Sequence, residues 1–202
     1  MIRTPDYEGF DDQAKRASHP KVTIVEGDYV KGNMLEARMK AYAKGSNPYV
    51  SWIDDDDIVL DMSWIDSALE MLEDKSIAAV YPQWRARMND KIVHQTTFRP
   101  WNISHHESNG GSPEAHHLTI MRRENVLELL EQVKAITPVH VKSQDRLLTT
   151  GMWRYGKVVP IEALAYEWLL RPNSARSLPE NRAVSAWAES HMTASREFAK
   201  KY

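Results

Sequence analysis

The sequence predicts an α/β domain with a largely parallel central sheet and helices on both faces. Three observations carry that expectation. Two β-rich apolar runs, Lys21–Glu26 and Pro48–Ile53, flank a run with helical spacing, Met34–Lys44. This is the strand–helix–strand rhythm of a right-handed parallel crossover. Helix-period and strand-period runs go on alternating downstream. The strand Tyr49-Val50-Ser51-Trp52-Ile53 also runs straight into four aspartates, Asp54 to Asp57. Ligands of open α/β sheets bind at that end of a strand.

The chain has 202 residues, 42% hydrophobic and 27% charged, enough for one domain with a sizeable core. A formal net charge of −2 excludes a global field that would draw it to nucleic acid or membrane, although a local basic groove remains open. It contains no cysteine, so disulfides and thiolate metal sites are excluded. No run approaches the ~20 apolar residues of a membrane span, and the first residues carry no apolar leader. A cytoplasmic protein without a membrane segment is therefore expected.

In chain order, Met1 to Thr4 reads as a very short strand ended by Pro5, and Asp11 to Ala17 as one or two helical turns. Lys21 to Glu26 is a strand bounded by Pro20 and Gly27. In the helix Met34–Lys44, Leu35, Arg38, Met39 and Tyr42 share a face, and Gly45 is placed to end it. Pro48 opens the second strand. Met62 to Asp74 reads as a helix with Trp64, Ile65, Ala68, Leu69 and Leu72 inward, Ser63 as its N-cap and Asp66 completing a capping box. Ile77 to Tyr81 is a strand, and Arg85 to Gln95 a hairpin turning at Asn89-Asp90. Phe98 to Pro113 is irregular, a length more often functional than not. His117 to Met121 is a strand, Arg123 to Ala135 a helix and Ser143 to Gly151 a short helix. Lys157 to Ile161 and Ala163 to Leu170 are extended or mixed, and a polar helix follows from about Arg182.

Four adjacent carboxylates repel one another, and a divalent cation offsets that repulsion. Mg²⁺ and Mn²⁺ take oxygen ligands, typically one or two carboxylates plus substrate phosphates. A metal–phosphate site at Asp54–Asp57 is the functional reading. A solvated acidic turn with one aspartate as N-cap is the plain one. His105-His106 and His116-His117 invite a metal reading too, but neighbours in a strand face opposite sides, so at most one of the second pair reaches a cleft. Trp84, Trp101 and Trp153 can stack on a sugar or a base, or simply pack in the core.

Four segments together resemble a family 2 type glycosyltransferase of the GT-A fold, across roughly residues 22–177. Gly32 to Tyr42, with Ala37-Arg38, is similar to the helix that precedes that family's acidic motif. Val50 to Asp57 resembles its apolar strand ending in the DxD motif. Ser143-Gln144-Asp145-Arg146-Leu147-Leu148 resembles its acidic pair and helix, with glutamine in the first acidic position. Tyr166 to Ser174 resembles its closing aromatic-then-arginine segment, and Arg3-Thr4-Pro5-Asp6-Tyr7 is a faint version of its first turn. The short chain looks like a small bacteriophage-type member.

The resemblance implies a Rossmann-like single domain. Residues 1–81 would form the nucleotide-sugar donor half, 82–177 the acceptor half and 178–202 a helical tail. It implies metal-dependent transfer from a nucleotide-diphosphate sugar, a UDP-sugar, to an acceptor hydroxyl. Asp54 and Asp56 match the DxD acids that serve the Mn²⁺ or Mg²⁺ site, Asp56 in direct metal contact and Asp54 on the ribose or a metal-bound water. Asp55 and Asp57 would be supporting or solvated. Asp145 matches the base, which implies inversion, and a salt bridge to Arg146 or Arg122 is its plain alternative. Thr4, Pro5, Glu26 and Asp28 would line the nucleoside pocket at the ends of the early strands. Arg38 would reach phosphate or hold the aspartates in place, with a surface arginine as its plain alternative, and Arg171 would reach phosphate. Saccharide, protein and a hydroxymethylated DNA base stay open as acceptor, and DNA would engage Arg85, Arg87 and Arg99. A Mg²⁺-dependent nucleotidyltransferase or phosphohydrolase, and a cation-stabilised binding domain, are the competing classes.

Overall fold

The computed structural model describes residues 2–3, 25–26, 34–54, 57–100, 117–136, 148–149 and 151–170. Its strands are β1 (Ile2–Arg3), β2 (Val25–Glu26), β3 (Tyr49–Val50), β4 (Ile58–Val59), β5 (Ile77–Met88), β6 (Lys91–Gln95), β7 (Ile120–Arg122) and β8 (Lys157–Leu170). The helices are α1 (Met34–Lys44), α2 (Ile65–Met71) and α3 (Arg123–Ile136), and a 3-10 turn covers Met152–Tyr155. The expected features at Asp11–Ala17, Phe98–Pro113 from Trp101 onward, Ser143–Leu147 and the tail lie outside the described residues.

The sheet is mixed, which corrects the expectation of a largely parallel one. β1 and β2 pair in parallel as a sheet of their own, Ile2 beside Val25 and Arg3 beside Glu26. The main sheet is six-stranded, in the order β3-β7-β5-β8-β4 with β6 also on β5. β5 and β8 are parallel, while β7 lies antiparallel between β3 and β5. β2, β3 and β5 are therefore not neighbours of one another. β3, β5 and β8 run one way and β4, β6 and β7 the other. Local periodicity encodes that a segment is extended, not which way its neighbour runs.

β5 also runs unbroken through Pro82, where the sequence suggests a division. Proline cannot donate to the ladder, and the β5–β8 register shifts between Tyr81 and Gln83 to accommodate it. On β8 the same shift passes Ile161 to Ala163, from Pro160 opposite Tyr81 to Leu164 opposite Gln83. The hairpin turns where expected, with Asn89 at φ 55, a left-handed conformation asparagine tolerates.

Helices cover both faces, as expected. On one, Met39 and Tyr42 of α1 and Val126, Leu129 and Leu130 of α3 pack with Val50, Ala79, Met121 and Val158. On the other, Trp64, Ala68 and Leu72 beside α2 pack with Val80, Ile120, Val159 and Tyr166. Complete burial of side chains such as Leu72 and Leu130 stabilises by about 1.5–3 kcal/mol each. α2 starts later than expected, and Ser63 does not cap it. The backbone N–H and hydroxyl of Ser63 both donate to the Asp61 carboxylate at 2.9 Å, and Trp64 occupies the N-cap without a side-chain cap bond. A carboxylate two residues back outcompetes the helix for the serine, and those bonds hold the Asp61 carboxyl below its usual range. At the far end of α2, buried Arg122 donates from Nη2 to the carbonyls of Leu72, Asp74 (3.2 Å) and Ile77 (3.4 Å). This satisfies the Leu72 carbonyl that the helix end leaves open and ties the helix to the turn before β5.

Tyr42 is buried, and its hydroxyl finds no hydrogen-bond partner among the described residues. Burial is the main cause that raises its pKa above the ordinary phenol value, and burial likewise pushes Tyr155 up to about 12. A raised pKa means the folded state keeps a proton that the unfolded state loses near pH 10, so stability falls as pH rises from about 10. Tyr42→Phe is expected to match or exceed wild-type stability at pH 7, by up to about 1 kcal/mol, since it removes an unsatisfied buried group. It is also expected to soften the alkaline loss. Thermal melts from pH 7 to pH 11 check both; a variant that melts well below wild type at pH 7 contradicts this reading.

Candidate functional site at the acidic turn

The site is built where β3 ends. Beyond Val50 the chain stays tied to the segment before β7, because Leu118 N–H donates to Trp52 C=O at 2.8 Å. The next residues close a turn, Asp57 N–H donating to Asp54 C=O at 3.2 Å. β4 then pairs with β8, Ile58 opposite Glu167 and Val59 opposite Tyr166. Asp54 and Asp57 thus lie between the segment before β7 on one side and β8 on the other.

Two of its carboxylates have distinct surroundings. The Asp57 side chain is 0% exposed. One of its oxygens meets His117 Nδ1, and the other accepts the Leu169 N–H at 3.3 Å. Buried charge is tolerated only when paired and hydrogen-bonded in this way. The Asp54 side chain is 35% exposed; its Oδ2 lies 3.3 Å from His117 Nε2 and its Oδ1 3.6 Å from Arg38 Nη2. Arg38 also lies over the Trp52 ring, 5.3 Å from its centroid. His117 is buried between Trp52, edge-on at 6.2 Å, and Tyr166, tilted at 5.7 Å.

The donor set suits a hard cation at Asp54 and not at Asp57. Both contacts of Asp54 are longer than strong hydrogen bonds, which leaves its lone pairs available on an open side. Asp57 has no such freedom. Among the described residues no three His, Asp or Glu side chains are grouped to hold a metal.

Of the sequence candidates, the structure brings Arg38 and Asp54 together. Glu26 ends β2. Thr4, Pro5, Asp28, Asp56, Asp145 and Arg171 lie outside the described residues, as do Trp101, the pair His105-His106 and His116. Two residues gain importance over the sequence reading. Asp57, expected as supporting or solvated, is buried and anchors the turn. His117, weighed there only as a metal candidate, bridges two carboxylates. Neither had a local signal, since the bridge joins positions 60 residues apart.

The far half of β8 carries a second charged constellation. Glu167 is 3% exposed and accepts from Arg85 Nε at 2.6 Å and Arg87 Nη2 at 2.5 Å. Arg85 and Arg87, expected at phosphates if DNA is the acceptor, are thus engaged with a buried carboxylate. The signal for this was legible: an acid inside an apolar strand, and two arginines two residues apart on one face. Glu167→Ala strands both guanidiniums. Each is about a third exposed, so solvent softens the loss to about 2 kcal/mol, below that of a fully buried pair. Denaturant unfolding measures it; an unchanged midpoint contradicts it. On the opposite face of β5 and β8, Trp84 meets His94 at 5.0 Å, Trp168 at 5.9 Å and Tyr166 at 6.3 Å.

No protein-family model and no curated protein matches the sequence. Solved structures do share the fold. S. aureus TarS 1–349 in complex with UDP-GlcNAc matches with a TM-score of 0.62 at 15% identity, over 95% of this chain and 59% of that one. The same TarS fragment in complex with UDP matches at 0.59, with 15% identity over 85% of this chain and 50% of that one. TarS 1–349 alone matches at 0.57, with 15% identity over 83% and 50%. This chain therefore spans 50% to 59% of those TarS chains. No helix among the described residues is long and apolar enough to cross a membrane.

Proposed function

We propose that this chain is a metal-dependent glycosyltransferase that moves a sugar from a UDP-sugar to an acceptor hydroxyl. One observation carries the reading: Asp54, partly open at the end of β3 and held by His117 and Arg38, sits in a fold shared with TarS, which has been solved in complex with UDP-GlcNAc. The finer assignment is a family 2 type enzyme of the GT-A fold, small and bacteriophage-like, with a donor half at 1–81, an acceptor half at 82–177 and a helical tail beyond.

In this reading Asp54 and Asp56 hold Mn²⁺ or Mg²⁺. The ion supplies electrostatic stabilisation of the leaving diphosphate. Arg38, on α1 beside Asp54, adds positive charge on the same side. Thr4, Pro5, Glu26 and Asp28 bind the nucleoside, and Arg171 closes on phosphate. Asp145 takes the acceptor hydroxyl proton as the oxygen attacks the anomeric carbon opposite the leaving group, so configuration inverts. A nucleotidyltransferase or phosphohydrolase would want acids from two elements converging on two metals, and the described carboxylates near Asp54 do not supply that.

The test is incubation of the chain with a panel of nucleotide sugars and, separately, nucleoside triphosphates, with Mn²⁺ present. Release of UDP from UDP-sugars, with triphosphates left intact, is expected. Triphosphate hydrolysis without UDP release, or no turnover and no nucleotide binding at all, overturns the proposal in favour of the phosphohydrolase or the binding domain respectively.

A further inference from the structure

We infer that His117 is a positioning residue, a clasp that locks Asp54 to the buried Asp57 and so sets the carboxylate facing the diphosphate end of the donor site. The inference rests on the role proposed for Asp54. Each ring nitrogen faces a different carboxylate, Nδ1 that of Asp57 and Nε2 that of Asp54 at 3.3 Å. Asp57 is the fixed jaw, 0% exposed and bound to the Leu169 N–H of β8. Asp54 is the open jaw, 35% exposed.

The histidine itself is held on every side the structure describes. It lies against Trp52 and Tyr166. The next residue, Leu118, has φ 58 and ties its N–H to Trp52 C=O at 2.8 Å. Left-handed backbone is unfavourable for leucine. That conformation carries the backbone directly from the imidazole, lodged in the acidic turn, into β7. A histidine needed only to fill space or satisfy one partner would not bridge a buried carboxylate and a half-exposed one. Partners that orient a ligating group change metal affinity or activity by about 10–100-fold when removed.

The experiment titrates Mn²⁺ in saturating UDP, following the free-ion signal by electron paramagnetic resonance. Wild type is compared with His117→Ala, His117→Gln, Asp57→Asn and the double variant His117→Ala/Asp57→Asn, each checked for a cooperative melt. His117→Ala and Asp57→Asn are each expected to raise the Mn²⁺ Kd by about tenfold or more. His117→Gln, whose single amide donates to one carboxylate, is expected to fall between alanine and wild type. The double variant should be no weaker than the weaker single, because both act through one clasp. Wild-type Kd in folded His117→Ala, or in His117→Gln if the alanine variant does not fold, overturns the inference and leaves the donor reading standing. A wild type that binds no Mn²⁺ in the presence of UDP overturns the donor reading itself, and this inference with it.

Discussion

Asp56→Asn is expected to lower kcat/KM for sugar transfer by about 10²–10³-fold or more while leaving the fold intact. Removing a group that stabilises charge developing in a transition state typically has that effect. Asn keeps the shape and removes the charge, so the loss reads the electrostatics and not the packing. Asp54→Asn should behave similarly, since Asp54 is the partly open carboxylate between His117 and Arg38. Asp57→Asn differs in kind: Asp57 is buried and bonded to Leu169, so stability should fall along with metal affinity. Steady-state kinetics with and without chelator, beside melts of all three variants, make the comparison. Near wild-type turnover by Asp56→Asn in chelator-treated buffer contradicts the metal role.

Asp145→Asn is expected to cut transfer by about 10²–10⁴-fold, the usual reach of a positioned base, with metal-dependent UDP binding unchanged. Separation of turnover from binding is the signature of a group that acts only on the acceptor proton. The plain alternative was a salt bridge to Arg146 or Arg122. The structure engages Arg122 Nη2 with the carbonyls of Leu72, Asp74 and Ile77, which leaves Arg146 as the simpler partner. Transfer rates and UDP affinity for the variant decide it. Full transfer with a lowered melting temperature would mark Asp145 as structural.

Much of the local structure was legible. The bounds of α1 follow from the spacing of Met39 and Tyr42 and from Gly45. The hairpin follows from Asn89-Asp90, and the inward face of α2 from Trp64, Ala68 and Leu72. What was not legible was long-range. The place of β7 between β3 and β5 depends on Met121 meeting both Val50 and Ala79, a pairing no local pattern announces. Nor was it legible that the strand from Ile77 continues past Tyr81 into the hairpin, across a register shift at Pro82. At the site, the aspartate run and Arg38 stood out in the sequence beside plainer uses as a solvated turn and a surface arginine, and the structure adds that Arg38 lies beside Asp54. The parts of Asp57 and His117 could not be read there, because a buried contact between positions 57 and 117 exists only once the sheet has formed.

Calorimetric titration of UDP into the wild-type chain, once in Mn²⁺ and once in chelator, reads whether the acidic turn is the metal–diphosphate end of a nucleotide-sugar site. UDP is expected to bind at least about tenfold tighter with Mn²⁺, with that gain lost in Asp54→Asn. Equal affinity with and without metal, or a metal-dependent gain that survives Asp54→Asn, would contradict it.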